Sequence, residues 1–254
     1  MKQAMIFAAG LGTRLKPLTD TMPKALVPVG GQPLLWHVIT KLKTAGFERI
    51  VVNVHHFADQ IIGYLKANSN FGLDIRISDE REQLLETGGG IKKALPLFDA
   101  DSPILIHNVD ILSNLDLAQL PMDAPLLVVS ERKTKRYLLF DDDMRLQGWT
   151  NIETGELILP PKLGGYRGLN KASSPPQPPN LGDLRRLAFS GIHVFHPSLA
   201  PLLSDWQERF PIMDFYLSAC ATHLIKGYEA TDLRLMDVGK LDTLDQAEKF
   251  ITNI

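Results

Sequence analysis

The sequence predicts an α/β fold in which helices flank a mostly parallel central sheet. Three observations support this prediction. Short apolar segments typical of buried strands alternate with amphipathic helical segments from residue 4 to residue 107. A chain of 254 residues is long enough for one such domain with a full core. A glycine-rich loop directly follows the first apolar segment, and sheets of this kind bind ligands at the carboxyl ends of their strands.

The first half of the chain supplies strands and helices in alternation. In the first predicted helix, Leu35, Val38 and Leu42 share one face. Pro33 suits the first turn of that helix and Gly46 suits its end. The alternating order implies right-handed crossovers between parallel strands. The predicted strands are residues 4–9, 49–54, 73–77 and 103–107, and the predicted helices are residues 33–46, 58–67 and 90–98.

The second half of the chain changes character, because its apolar segments are shorter and are joined by tight turns. We therefore expect a smaller, partly antiparallel sheet there. Residues 160–183 are rich in Pro, Gly, Ser and Asn, which predicts a mobile surface loop. The predicted strands are residues 126–130, 137–140, 145–148, 187–195 and 233–238, and the predicted helices are residues 199–203, 214–224 and 242–251.

The composition argues against several classes of protein. The formal net charge of −2 argues against a broad nucleic-acid surface, which is normally basic. No segment approaches the roughly 20 apolar residues of a membrane span, so no membrane partner is expected. Cys220 is the only cysteine, which excludes an internal disulfide and favours the cytoplasm. Nothing in the sequence indicates an oligomeric state.

The loop after the first strand has the composition of a phosphate-binding loop. Gly10 and Gly12 allow backbone N–H groups to approach a phosphate closely, and Arg14 and Lys24 add two cations. Two familiar nucleotide motifs do not fit. The Gly-x-x-x-x-Gly-Lys-Ser/Thr pattern of a P-loop is absent, and a dinucleotide fingerprint would need glycine where Leu15 stands.

The complete loop is similar to a known signature. It reads Gly10-x-Gly12-Thr13-Arg14-Leu15-x-Pro17-Leu18-Thr19, followed by Pro23-Lys24-x-Leu26-x-Pro28-Val29. This run resembles the signature of the sugar-1-phosphate nucleotidyltransferases. The resemblance implies a Rossmann-like, GT-A-like fold with the smaller sheet on the sugar side. It also implies an enzyme that joins an NTP to a sugar 1-phosphate with the help of Mg²⁺ and releases pyrophosphate.

The resemblance assigns roles to parts of the chain. In that family the loop wraps the triphosphate, so Arg14 would face the leaving pyrophosphate and Lys24 would contact the α-phosphate region. We expect one domain over residues 1–254. Its nucleotide-binding half would be residues 1–125, and its acceptor-binding half would be residues 126–254 with the mobile loop.

Two aspartates are candidates for the metal ligands. Asp110 follows the fourth predicted strand, and Asp237 lies at the end of the last one. Mg²⁺ prefers one or two carboxylates together with phosphate oxygens. The family resemblance matches both positions, which implies that Asp110 and Asp237 hold magnesium together.

The base pocket is expected to combine two short segments. One is Ala8-Ala9-Gly10, and the other is the glycine-rich turn of residues 86–90, which precedes a predicted helix. That turn looks especially like the bacterial N-acetylmuramic acid 1-phosphate uridylyltransferases, which implies UTP as the donor and that sugar phosphate as an acceptor. The nucleotide-binding candidates are Ala8, Ala9, Gly10, Gly12, Thr13, Arg14, Lys24, Thr87, Gly88, Gly89 and Asn108.

The acceptor side departs from the family pattern. Many members carry a mid-chain Glu-Lys-Pro whose lysine grips the sugar phosphate, but residues 147–151 read Gln-Gly-Trp-Thr-Asn here. Gly148, Asn151 and Ser190 are the candidate sugar-binding residues. The phosphate grip is unassigned, with Lys162 and Lys171 of the predicted mobile loop as candidates, and the basic run of residues 132–136 is expected to be a solvated hairpin tip. Two alternatives stay open: a cytidylyltransferase acting on an alcohol phosphate such as phosphocholine, and a non-catalytic module that senses nucleotide sugars.

Overall fold

The computed structural model describes residues 1–160 and 184–253. Nearly all of the predicted mobile loop, residues 161–183, lies outside the described residues. The strands are β1 Lys2–Phe7, β2 Pro28–Val29, β3 Gln32–Pro33, β4 Phe47–Val54, β5 Asp74–Asp79, β6 Ile104–Asn108, β7 Ile111–Ser113, β8 Leu126–Ser130, β9 Arg136–Phe140, β10 Leu146–Asn151, β11 Glu156–Ile158, β12 Arg185–Phe195, β13 Lys226–Glu229 and β14 Leu235–Asp237. The α-helices are α1 Leu34–Thr44, α2 Ala58–Ala67, α3 Glu86–Ala94, α4 Ile212–Ala219 and α5 Leu244–Ile251.

A mixed sheet organises the fold, as predicted. Its main path runs β11-β10-β9-β12-β6-β1-β4-β5, and β8 joins it by pairing with β12 and β13. The strands β6, β1, β4 and β5 are parallel, so their carboxyl ends lie at one edge. The strands β9, β10 and β11 form the antiparallel part, and the long strand β12 connects it to the parallel part.

The core lies on both faces of this sheet. Ala4 and Ile6 of β1 belong to one buried cluster, and Met5 between them belongs to the other. This alternation is expected because successive side chains of a strand point to opposite faces. Helices α1, α2 and α5 cover the first face, and α3 and α4 cover the second. Two covered faces explain why the parallel strands are apolar almost throughout.

Several predicted boundaries were wrong. Helix α3 begins at Glu86, four residues before the predicted start, so the glycine-rich segment lies inside the helix. The predicted helix near residues 199–203 is a 3₁₀ helix, Pro197–Asp205, in which Pro201 lacks the N–H of a regular α-helix. The helix predicted to reach residue 224 ends at Ala219, and the unpredicted strand β13 follows it. In the described part of the chain, every helix is too short or too polar to cross a bilayer.

Candidate active site

A cavity of about 250 Å³ opens at the carboxyl edge of the parallel strands. Strands β1 and β6 end there, and the N-terminal end of α3 forms part of its wall. The structure therefore brings together most of the predicted nucleotide-binding residues, which are far apart in sequence. The cavity is lined by Phe7, Ala8, Ala9, Gly10, Lys24, Asn53, Glu80, Leu84, Glu86, Thr87, Asn108, Val109 and Asp110.

A buried amide holds the first part of the phosphate loop. The side-chain oxygen of Asn53 accepts hydrogen bonds from the backbone N–H groups of Ala8 (2.7 Å) and Ala9 (3.3 Å). Its Nδ2 donates to Oε1 of Glu80 at 2.8 Å. Glu80 is fully buried, and its other oxygen accepts from the N–H of Leu85 at 3.2 Å. Burial raises the pKa of the Glu80 carboxyl, although these hydrogen bonds partly oppose the shift.

The second part of the loop depends on a glycine. Gly12 has φ +64°, and a Cβ atom there would lie 2.9 Å from Cγ2 of Thr19 and 3.0 Å from Cβ of Lys24. The Thr19 hydroxyl donates to the Gly12 carbonyl at 2.8 Å, which fixes the return of the chain toward Lys24. Thr13 is exposed and begins a one-turn 3₁₀ helix, Thr13–Leu15. The loop thus packs closely on the stem of Lys24, which is nine-tenths buried.

The two predicted metal ligands come together through strand pairing. In the antiparallel pair of β14 and β7, Asp237 lies opposite Ile111, the residue after Asp110. The N–H of Val238 donates to the Asp110 carbonyl at 2.8 Å. Asp237 keeps an exposed surface, yet partial burial of its carboxyl raises its pKa, and the Asp110 carboxylate raises it further. These contacts place two acidic groups side by side.

Two cations accompany the carboxylates. Nζ of Lys24 forms an ion pair with Oδ2 of Asp110, and both side chains are less than one-fifth exposed. Arg14 lies against the turn after β14, because a Cβ atom at Gly239 would come within 2.9 Å of Nη2 of Arg14 and 2.7 Å of Oδ1 of Asp237. The structure therefore brings the four predicted catalytic residues close together, and two of them, Lys24 and Asp110, line the cavity.

A second cavity, of about 500 Å³, adjoins the first. Phe7, Thr87 and Asn108 line both cavities, so a ligand in one would meet a ligand in the other at these residues. The remaining wall comes from β9, β10, β11, β12 and the start of α4. It consists of Arg136, Leu138, Trp149, Glu156, Ile158, Phe189, His193, Pro211, Ile212, Met213, Asp214 and Leu217.

Sequence comparison agrees with this geometry. Residues 3–124 match the family described as nucleotidyl transferase. An N-acetylmuramate alpha-1-phosphate uridylyltransferase from Caulobacter vibrioides is 36% identical over 200 residues, which are 78% of this chain and 76% of that protein. A protein of the same name from Neisseria meningitidis serogroup B is 47% identical over 115 residues, 45% of this chain and 49% of that protein. The chain belongs to the sugar-1-phosphate nucleotidyltransferase family.

A solved structure supports the fold of this nucleotidyltransferase. The UDP-glucose pyrophosphorylase from Acinetobacter baumanii superposes with a TM-score of 0.72, covering 98% of this chain and 92% of that one at 17% identity. At this identity the likeness concerns the fold alone. The family and the enzyme class that the loop signature implied are confirmed.

Two glycines of the transferase are placed differently from the prediction. The N–H groups of Gly88 and Gly89 both donate to the Phe210 carbonyl, at 2.8 Å and 3.2 Å. A Cβ atom at Gly88 would lie 2.2 Å from the Phe210 ring, and one at Gly89 would lie 2.0 Å from the Glu208 carbonyl oxygen. Both glycines thus allow the chain before α4 to pack on α3, and neither lines the first cavity.

The predicted sugar-binding residues also lie outside the lining of the second cavity. A Cβ atom at Gly148 would be 2.5 Å from the Ile158 carbonyl oxygen, so this glycine allows close packing of β10 on β11. The Asn151 side chain is buried and accepts from the N–H of Glu153 at 3.0 Å. The Ser190 hydroxyl is buried and accepts from the N–H of Ile192 at 3.2 Å. These contacts give all three residues structural roles.

Several residues of the site were missed by the sequence analysis. Asn53 is a single polar residue in an apolar strand, and Glu80 is an acid in a loop. Neither belongs to a recognisable motif, so neither was predicted to be part of the site. The available signal for Asn53 was its position among Val51, Val52 and Val54. Gly191 was seen only as part of a strand, yet it has φ +79°, and a Cβ atom there would lie 2.8 Å from Nδ2 of Asn108.

Proposed function

We propose that this transferase joins UMP from UTP to N-acetylmuramate 1-phosphate and releases pyrophosphate. The two uridylyltransferases described above support the choice of both substrates. The observation that carries the proposal is the pair of adjoining cavities. The first is lined by part of the phosphate loop together with Lys24 and Asp110, and the second, which shares three lining residues with the first, is large enough for a sugar.

The cations of the first cavity suit a triphosphate. Lys24 is buried against Asp110, where its charge faces the cavity and is shielded from bulk water. Arg14 stands at the rim beside Asp237. In the proposed reaction Lys24 would neutralise charge at the α-phosphate, and Arg14 would hold the β- and γ-phosphates as they leave. Fixed cations of this kind stabilise charge where it develops in the transition state.

The acidic pair fits magnesium. No group of three or more His, Cys, Asp or Glu side chains forms a metal site in the described part of the chain. Two neighbouring carboxylates are nevertheless the protein contribution that Mg²⁺ uses when phosphates and water complete its coordination. Asp110 and Asp237 would hold the ion. Burial and then repulsion from Asp110 raise the pKa of Asp237, and a bound cation would relieve that repulsion. When bound, Mg²⁺ would act as a Lewis acid on the phosphate oxygens.

The chemistry needs no general base from the protein. The acceptor phosphate is largely dianionic at neutral pH, so its oxygen can attack the α-phosphorus directly, in line with the leaving pyrophosphate. The buried histidines near the site agree with this scheme, because burial lowers the pKa of His107 to about 4 and that of His193 to about 3. Positioning and charge neutralisation would therefore supply the catalysis.

Arg132 is our candidate for the missing acceptor-phosphate grip. Its Nη2 donates to the carbonyl of Phe189, which lines the acceptor cavity, at 3.0 Å. Its charge also lowers the pKa of Asp237, an effect shared with Lys24 and Arg14, although burial and Asp110 dominate that carboxyl. Among the described residues of the second half of the chain, Arg132 is therefore a cation whose charge acts on Asp237. It would replace the lysine of the Glu-Lys-Pro motif.

The division of the chain into halves is part of this proposal. The described lining of the nucleotide cavity lies within residues 7–110, and most of the acceptor lining lies within residues 136–217. This supports a nucleotide-binding half of residues 1–125 and an acceptor-binding half of residues 126–254. Asp237 is the exception, because it belongs to the second half but lies beside Asp110 of the first. We also propose a cytoplasmic location, where UTP is available.

A substrate screen tests the function. Pyrophosphate release should be measured with UTP, CTP and GTP, each paired with N-acetylmuramate 1-phosphate, glucose 1-phosphate and phosphocholine at equal concentrations. We expect UTP with N-acetylmuramate 1-phosphate to give the highest kcat/KM, and expect Asp110→Ala and Asp237→Ala to lose at least about 10²-fold. A preference for CTP with phosphocholine would show that the alternative acceptor class is correct. Either variant keeping more than about a tenth of the rate would exclude that carboxylate as a ligand.

A further inference from the structure

One cation in the lining of the acceptor cavity has no assigned role. Arg136 begins β9 and is exposed to the cavity. Among residues 1–160 and 184–253, no carboxylate lies within ion-pair distance of its guanidinium, whereas neighbouring Lys135 pairs with Glu153 at 2.7 Å. Within the described lining it is the only Lys or Arg side chain. An arginine placed in a ligand cavity without a protein partner is available to an anionic ligand.

Strand register fixes what surrounds Arg136. It lies opposite Asn151 on β10, and Leu138 lies opposite Trp149. Directly opposed residues of antiparallel strands share a face of the sheet, so the guanidinium and the indole ring are on the same wall. Trp149 is half-buried and gives this wall a flat apolar surface. A sugar ring packed on Trp149 would hold one of its substituents beside Arg136.

The acidic residues of the cavity do not cancel this positive charge. Glu156 lies opposite Asn151 on β11, so two strand spacings, about 10 Å, separate its backbone from that of Arg136. Asp214 is in the first turn of α4, and it forms no ion pair with Arg136 in the described part of the chain. Both carboxylates are placed to accept hydrogen bonds from sugar hydroxyl groups. Lys133 adds positive charge in the loop before β9.

The two arginines of this region face different parts of an acceptor. Arg132, which donates to the Phe189 carbonyl, is the residue that the proposed function assigns to the reacting phosphate. Arg136 lies four residues further along the chain, on the strand that forms the sugar wall. An acceptor with one anionic group at C1 and a second on another carbon would satisfy both cations. N-acetylmuramate 1-phosphate has this form, because its lactyl carboxylate is carried on O3.

We propose that Arg136 binds a carboxylate on the sugar of the acceptor and thereby selects N-acetylmuramate 1-phosphate over neutral N-acetylhexosamine 1-phosphates. The inference rests on the proposed function and adds a residue that determines specificity. A guanidinium suits this task better than an ammonium, because its planar fork can donate two parallel hydrogen bonds to one carboxylate. The expected consequence is a selective effect, confined to acceptors that carry the carboxylate.

The test compares two acceptors that differ only in the lactyl group. Steady-state constants should be measured with UTP for N-acetylmuramate 1-phosphate and N-acetylglucosamine 1-phosphate, using the unmodified protein and Arg136→Met. We expect Arg136→Met to reduce kcat/KM at least about 10-fold for the first acceptor, mostly through KM, and less than about threefold for the second. Arg136→Lys should lose an intermediate amount, because it keeps the charge without the fork.

A matched control removes a neighbouring charge. Lys135→Met deletes the adjacent cation, which is exposed, paired with Glu153 and absent from the cavity lining, so both acceptors should keep their kcat/KM within about twofold. Equal losses for both acceptors in Arg136→Met, or no loss for either, would overturn the inference while leaving the proposed function intact. If the unmodified protein used neither acceptor, the proposed function would fall, and the inference with it.

Discussion

The hydrogen bonds of Asn53 lead to the sharpest stability prediction. Replacing Asn53 with Leu keeps the branching and the number of heavy atoms of the side chain and removes three buried hydrogen bonds, two from the phosphate loop and one to Glu80. At about 1 kcal/mol for each bond, the free energy of unfolding should fall by about 3 kcal/mol. The buried N–H groups of Ala8 and Ala9 would also lose their partner, which adds about 1 kcal/mol or more.

The same change should affect function and pH dependence. The loop that lines the nucleotide cavity would lose its anchor, so KM for UTP should rise about 10-fold or more while KM for the acceptor changes little. The Asn53 amide is also what opposes the raised pKa of Glu80, and without it that pKa should rise further. A carboxyl whose pKa is raised in the folded state destabilises the fold increasingly as the pH rises from its unfolded-state pKa to its folded-state pKa, so the stability loss should be larger at pH 8 than at pH 5.

Urea unfolding monitored by tryptophan fluorescence, together with initial rates over a range of UTP concentrations, checks this prediction. Asn68→Ala is a suitable control, because Asn68 is exposed and its side chain makes a single hydrogen bond, to the Tyr64 carbonyl at 2.8 Å. Its loss should be below about 1 kcal/mol. The reasoning would be refuted if Asn53→Leu unfolded within 1 kcal/mol of the unmodified protein and kept its KM for UTP.

Three further predictions follow from single groups. Asp237→Asn should abolish turnover but raise the midpoint of thermal unfolding in EDTA. Burial and Asp110 raise the pKa of this carboxyl, so its negative charge destabilises the metal-free fold at neutral pH. An equal or lower midpoint would contradict this. Gly191→Ala should lower the free energy of unfolding by about 1–2 kcal/mol and also lower kcat/KM. The φ of +79° at this position is left-handed, and the new Cβ would clash with Asn108. Calorimetry that shows no change in stability would exclude this strain. Burial raises the pKa of the Cys220 thiol to about 11. A thiol reagent at pH 8 should therefore modify the folded protein at least about 10-fold more slowly than the protein unfolded in urea. Equal rates would be inconsistent with that burial.

The sequence by itself determined the parts of this protein that depend on local pattern. The apolar run before Gly10 predicted a buried strand, and the spacing of glycines and cations after it predicted a phosphate loop, because both follow from neighbouring residues. Local signals of this kind did not give the ends of the helices and strands accurately. Three consecutive glycines disfavour a helix locally, yet α3 includes them. At Gly88 and Gly89 the helix packs so closely on Phe210 and Glu208 that no side chain would fit.

Only the tertiary structure decided which distant residues meet. The pairing of β14 with β7 brings Asp237 beside Asp110, which was expected solely from family resemblance, and the pairing of β9 with β10 places Arg136 on the wall that carries Trp149. Asn53 became part of the site because a parallel strand carries its amide to the backbone of Ala8. Such contacts depend on strand order and register, which arise from packing both faces of the sheet, and no short window of sequence contains that information.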